Sequence, residues 1–402
     1  MRAVTTLLIT TALAGAPAAF AQSNDQYNGG DAIAVTDIET GWAHDAGATA
    51  VASGNVVNTS QQDNDTELTS SQHMDGDTSA AADATVRTAT GNIAVTTAAV
   101  SNGGTAEIEG GSSRIDAGQI AHGDASAATN FAGAASANTG LSASASSNTA
   151  AVSLENANLR LLLDQESTGS LNAEISGDIG VAAGQAVSGA IASANNLTVG
   201  GETSTVLSAT RQNATGASVA ARSDLYVGEA SDISGNATAN ANSTTIDNQW
   251  GYVNAAIAQN ATSDVAANSY VTLGGDFTGF ASAGAYGVGN QTLASNVGSD
   301  MVLDVTQSNS GDISADAALA AGSGGMALAA SAAYGNSITG GLCNDCDLSG
   351  NGGPTLSASS TQWNDGDVYS SSVIRSTGAV TVGSTSTAIG NAATYQVRPP
   401  GG

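Results

Sequence analysis

Three histidines, two cysteines and eight arginines, with no lysine, are the residues from which this chain could build a nucleophile, a metal site or an anion pocket. His44, His73 and His122 stand in unlike contexts, and no nucleophile elbow, paired-carboxylate motif or phosphate loop accompanies them. Cys343 and Cys346 are the only cysteines, in LCNDCD, and their spacing suits a local disulfide in an oxidising compartment. The further ligands that zinc would need are missing beside them, so no metal or other cofactor is expected. Acids at Glu67, Asp124, Asp264, Asp312 and Asp367 each fall five places after a Gln and could stack into a calcium column. The glycine-rich repeat of calcium-bound arrays is absent, which favours a solvated acidic face. A polysaccharide lyase is the enzymatic rival, and it needs a cation beside an acidic sugar to stabilise a carbanion. Arg211 and Arg222 fall within one repeat, but the arginines are otherwise scattered, and the chain reads as non-catalytic.

Composition says where such a chain works. Residues 1–21, MRAVTTLLITTALAGAPAAFA, combine Arg2, an apolar stretch and the small-residue pattern Ala19-Phe20-Ala21, the features of a secretory signal peptide. No later stretch is long and apolar enough for a membrane-spanning helix. Beyond Arg2, seven positive charges face 35 acidic ones, a net charge of −28, which excludes nucleic acid and anionic membranes as partners. With 4% aromatics, 50 Gly and an apolar fraction made mostly of Ala and Val, the sequence suits thin, regular packing of small side chains.

The spacing of Gln carries the architecture. Gln62, Gln119, Gln165, Gln212, Gln259, Gln307 and Gln362 recur at intervals of 46 to 57 residues, each followed four places on by a small residue such as Gly311 or Gly366. Asn after a tiny residue forms a second landmark, at 55, 92, 148, 195, 242, 290, 336 and 391. From each Gln to the next Asn the distance is 29 to 31 residues, whereas the return arc varies from 7 to 27. One arc that is fixed and one that accepts insertions describe a stacked array in which each unit buries its apolar face against its neighbours. Alternation of small and polar residues, as in SDMVLDVTQ and GDISADAALA, makes the units strands. The expected fold is therefore all-β: an elongated, β-helix-like solenoid of about seven repeats of about 47 residues, with three strand candidates per repeat that make either one three-sided coil or two smaller coils. Residues 22–45 depart from the pattern and read as an N-terminal cap, 46–395 as the array and 396–402 as a tail. The recurring amides read as ladders that satisfy backbone groups, and the turn glycines are expected at positive φ.

The signal peptide, the lysine-free acidic chain and the returning ATGN, SGN and Q-x-N-x-G-D blocks resemble holdfast anchor proteins of the HfaD type. The resemblance implies a structural role at the cell surface, tying an extracellular polysaccharide adhesin, the holdfast, to the bacterial envelope. It also implies partners: a curlin-like anchor subunit and a curli-pore-type secretion lipoprotein of the outer membrane. A curlin-like functional amyloid and a generic secreted adhesin are the alternatives. Trp250 and Trp363, in or beside the variable arc, are the candidate sugar-stacking residues.

Overall fold

The computed structural model describes residues 20–343 and 353–398. The signal-peptide segment through residue 19, Cys346 and the last four residues lie outside the described residues. The strands are β1 (Phe20–Asn28), β2 (Ala32–Thr40), β3 (Ala46–Gln62), β4 (Thr66–Met74), β5 (Thr78–Thr88), β6 (Asn92–Glu109), β7 (Ser112–Ala121), β8 (Ala125–Ser136), β9 (Asn138–Glu155) and β10 (Asn158–Ser167). They continue as β11 (Leu171–Glu202), β12 (Thr205–Ala214), β13 (Ser218–Gln249), β14 (Val253–Ala261), β15 (Asp264–Leu273), β16 (Phe280–Val297), β17 (Met301–Asn309), β18 (Ile313–Cys343), β19 (Leu356–Asn364) and β20 (Val368–Arg398). The protein is all-β and β-helix-like, and its strands pair in parallel.

One rung shows how the sequence makes the fold. In β10, NLRLLLDQES, Leu159, Leu161, Leu163 and Gln165 are buried while the residues between them face out, the period-two pattern of a half-buried strand. After a turn, Leu171, Ala173 and Ile175 of β11 repeat the pattern, and the strand shifts register between Ala182 and Gln185. It bends again at Asn195, where the pairing skips Ala194 and residues 192–195 are all buried, then closes through residues 203 and 204 into β12. Two of the three expected strands per repeat thus run on as one bent strand, 32 residues long in β11 and β13.

Each strand lies on the one a period later, so β1, β4, β7, β10, β12, β14, β17 and β19 form one eight-stranded sheet. Like residues stack: Gln165 pairs with Gln212 and Asn195 with Asn242. The core has two lobes. One holds mainly Ala with Ile, Val and Leu, from Ala34 to Ala333; the other is Leu- and Ile-rich, around Leu159, Leu161, Ile257 and Leu303.

The stacking corrects the register at the N-terminal end. Gln62 is exposed at the end of β3 opposite Glu109, and Asn92 lies at the start of β6 with its side chain bonded to Asn138. The true landmarks are Gln72 and Asn102, so the acid of that rung is Asp77 and not Glu67. With them, Gln-to-Gln offsets become 46 to 48 throughout, apart from 55 at the last step. Residues 22–45 do not depart from the repeat in their backbone: β1 and β2 pair with β4 and β5, and Gln26, Gly30 and Asp31 restate the motif.

The glycines are a second correction. Positive φ occurs at Asp63, Gly110, Asn156, Thr203, Trp250 and Gly298, one position of successive rungs, and also at Gly111, but not at Gly311 or Gly366. These two are required for a different reason. A Cβ on Gly311 would overlap the Ser263 carbonyl of the preceding rung, and one on Gly366 would overlap that of Gly311, so this turn stacks backbone on backbone.

Candidate functional site

Four arrangements of polar side chains follow from the stacking, and they differ in what they can reach. The first is internal. Eight glutamines, Gln26, Gln72, Gln119, Gln165, Gln212, Gln259, Gln307 and Gln362, form one ladder, each Nε2 after the first donating to the Oε1 of its predecessor at 2.7–3.2 Å. The other proton of each goes to a main-chain carbonyl across the rung, such as Asn196 for Gln165 and Ser243 for Gln212. Opposite them, Asn55, Asn102, Asn148, Asn195, Asn242, Asn290, Asn336 and Asn391 chain Nδ2 to Oδ1 at 2.7–2.9 Å. Each Asn through Asn336 also donates to the carbonyl of the residue that follows a ladder Gln, as Asn195 does to Asn213. The six interior glutamines, Gln72 to Gln307, are at most 3% exposed, so the ladders join the sheets across the waist between the two core lobes and offer nothing to a ligand.

The acids form the second arrangement. The Oδ1 of Asp31, Asp77, Asp124, Asp264 and Asp312 each accepts the main-chain N–H at the same position of the next rung, at 2.8–3.0 Å. This column is not merely a solvated face; it caps the turn with one carboxylate oxygen of each acid.

The third is the outer face of the eight-stranded sheet. Arg114, Arg160 and Arg211 stand there among Asp116, Asp164, Leu162 and Leu207, and line two shallow grooves of about 430 and 570 Å³. Arg114 approaches Glu67 at 3.4 Å and Asp116 at 4.0 Å, and Arg211 approaches Asp164 at 3.8 Å. All of these groups are about half exposed, so the pairs are weak and screened by salt, and their charges stay open to exchange for a ligand's hydroxyls or carboxylates. Arg222 is elsewhere, on β13, donating to Asp224 at 3.0 Å with its guanidinium 5.4 Å from the Tyr270 ring centre. The two arginines considered for lyase chemistry therefore lie on different strands, each beside its own carboxylate.

Neither candidate Trp lines these grooves. Trp250 holds φ of 60° in its turn, its ring lies against Gly298 of the next rung, and the residue is 41% exposed. Trp363 on β19 is 66% exposed beside the ladder residue Gln362, and Trp42, not singled out by its sequence, is equally open. Cys343 ends β18, while its expected partner, Cys346, is among the residues not described.

The fourth arrangement joins two histidines whose sequence contexts looked unrelated. His73 Nε2 and His122 Nδ1 lie 2.7 and 2.8 Å from the same Asp75 Oδ1, and the Tyr27 hydroxyl donates to Asp75 Oδ2 at 2.7 Å. The two imidazoles meet edge to face with centroids 4.9 Å apart, and Tyr27 flanks His73 at 5.4 Å. The bonds from Tyr27, His122 and His73 together hold the Asp75 carboxyl down at about 2, and the same carboxylate raises the Tyr27 phenol above its ordinary value. Among the described residues this is the one group of three His, Cys, Asp or Glu side chains close enough to share an ion. The signal for it was the corrected period: 47 residues separate Asp75 from His122.

No curated protein and no solved structure matches the chain. A family described as HfaD, holdfast attachment protein D, matches residues 40–312, a span that holds most of both amide ladders and the open face from β4 to β14. As the match covers well over half of the sequence, the chain belongs to the holdfast attachment protein D family.

Proposed function

We propose that this protein is a non-catalytic anchor that holds an extracellular polysaccharide adhesin, the holdfast, to the bacterial envelope. The observation that carries the reading is the family match, which coincides with the rungs bearing the open charged face. In this reading the rungs form an elongated solenoid of eight turns, exported by the signal peptide and retained at the outer surface by a curlin-like subunit and a curli-pore-type lipoprotein. A face that presents Arg114, Arg160 and Arg211 among acids and apolar side chains on three successive rungs supports several weak contacts with a long polymer, and such contacts add through multivalency without a deep pocket. Trp363 and the partly exposed Trp250 are proposed as further stacking surfaces for sugar rings. With seven positive charges against 35 acidic ones after Arg2, an acidic polymer would be held through bridging cations or a partner.

The test is a chromosomal deletion followed by washing of surface-grown cells. The expected result is that adhesive material is still made but is shed into the medium. Retention on the deleted cells as firm as on the parent would overturn the reading, and polysaccharide cleavage by the purified chain would replace it with the enzymatic one.

A further inference from the structure

In the segment QHMDGD, residues 72–77, Gln72 and the fully buried Met74 point inward, so strand alternation turns His73 and Asp75 outward, side by side. One period later Ala121 is buried and His122 faces out, directly above Asp75. The backbone fixes this placement: Asp75 N donates to Asn28 O at 2.9 Å and His122 N to Met74 O at 2.8 Å. The same inter-rung bond at the His122 position is made farther along by Thr168, Thr215, Thr262, Ser310 and Asp365, so the later rungs offer no imidazole there and a carboxylate only at Asp365.

We propose that His73, Asp75 and His122 form a binding site for one divalent transition-metal ion of the zinc class, joining two successive rungs near the N-terminal end. The three ligand atoms, His73 Nε2, Asp75 Oδ1 and His122 Nδ1, all lie within 4.8 Å of one another. Ligands bonded at about 2.0–2.1 Å stand roughly 3.3 Å apart around a tetrahedral ion, so the 2.7 and 2.8 Å contacts need to open by about 0.6 Å. Two imidazoles and one carboxylate are a donor set for zinc, copper or nickel, and a poor one for calcium or magnesium, which take oxygen. Ion entry replaces the two N–H···O bonds: an imidazole that carries one proton keeps it on the other ring nitrogen, and one that carries two releases one to solvent. Tyr27 closes the site from behind, donating to Asp75 Oδ2 and leaving Oδ1 for the ion, as outer hydrogen bonds do for ligating carboxylates. The side chains of His73, Asp75 and His122 are 32, 36 and 45% exposed, so an entry path is open and remaining positions go to water.

The experiment is a calorimetric titration of the purified chain with zinc chloride, in parallel with a His73→Ala/His122→Ala double variant and a Tyr27→Phe variant. One equivalent should bind the parent chain, be lost or weakened at least a hundredfold in the double variant, and persist in Tyr27→Phe with about tenfold lower affinity. Circular dichroism checks that the double variant keeps the parent's strand spectrum, as expected for outward side chains. Failure of the parent to bind an equivalent, or equal binding by the double variant, would overturn the site and leave a hydrogen-bonded cluster. Displacement of zinc by equimolar calcium would overturn its assignment to transition metals.

Discussion

A Cβ at Gly311 would be driven into the Ser263 carbonyl one rung away, whereas at Gly118, on the outer side of β7, it would meet nothing within 4 Å. Both glycines have ordinary φ, so backbone freedom does not distinguish them; inter-rung clearance does. Gly311→Ala should therefore lower stability by about 1–3 kcal/mol, because a packed rung must shift to admit the methyl group. Gly118→Ala should be neutral or stabilising by up to ~1 kcal/mol, since it only narrows the unfolded ensemble. Urea unfolding followed by circular dichroism reads both, and equal midpoints would refute the close-stacking account. Trp250 shows the opposite economy. Its position repeats as Asp, Gly, Asn, Thr, Trp and Gly, so a left-handed turn is imposed there by stacking on residues of every kind.

Across elements, the amide ladder is the device that ties strand to strand, and it tests the register directly. Gln212→Leu would strand the Gln165 side-chain oxygen and the Ser243 carbonyl inside the protein, at a cost of about 2–4 kcal/mol. Gln62→Leu, at an exposed position outside the ladder, should change stability by no more than ~0.5 kcal/mol. Equal losses in thermal unfolding would restore Gln62 to the ladder. The alternation, the parallel stacking implied by a period of about 47 residues and the ladder role of Gln119 to Gln362 were all legible, because each depends on spacing alone. Gln62 misled because it too is followed by an acid five places on, while Gln72, with Gly76 and Asp77, matches the motif better. That slip of ten residues hid the site as well: measured from Gln72, His122 and Asp75 occupy the same position of successive rungs. The two-lobed core was not legible, since inward residues such as Ala173 and Leu159 reveal burial but not which sheet lies opposite.

At the scale of the whole molecule, the ends decide whether the stack stops. β20 pairs with β18 on one side only, and a bare parallel edge invites a further strand. Its inward positions change character there: Ser370, Ser372 and Ser384 lie over Ala315, Ala317 and Ala329. Ser372 and Ser384 hydroxyls bond at 2.6 Å, and Ser386 donates to the Ser370 carbonyl at 2.7 Å, so the last rung is closed by polar contacts where the interior is alanine. Such polar contacts make this rung a poorer template for dry stacking than the alanine-lined rungs before it. An array whose rungs touch only their neighbours should tolerate loss of a whole rung but not of part of one. Removing residues 205–251, one 47-residue period, joins Ser204 to Tyr252 and leaves every ladder in register, since Val206 and Val253 occupy the same column. That variant should fold with the parent's β spectrum and, by small-angle scattering, be shorter by one strand spacing, about 4.8 Å. Removing residues 219–228 instead shortens the fixed arc between Gln212 and Asn242 from 30 residues to 20, so the two cannot both keep their ladder places, and should give an aggregated or unfolded chain. If the two deletions behaved alike, the ladders would not be what sets the register.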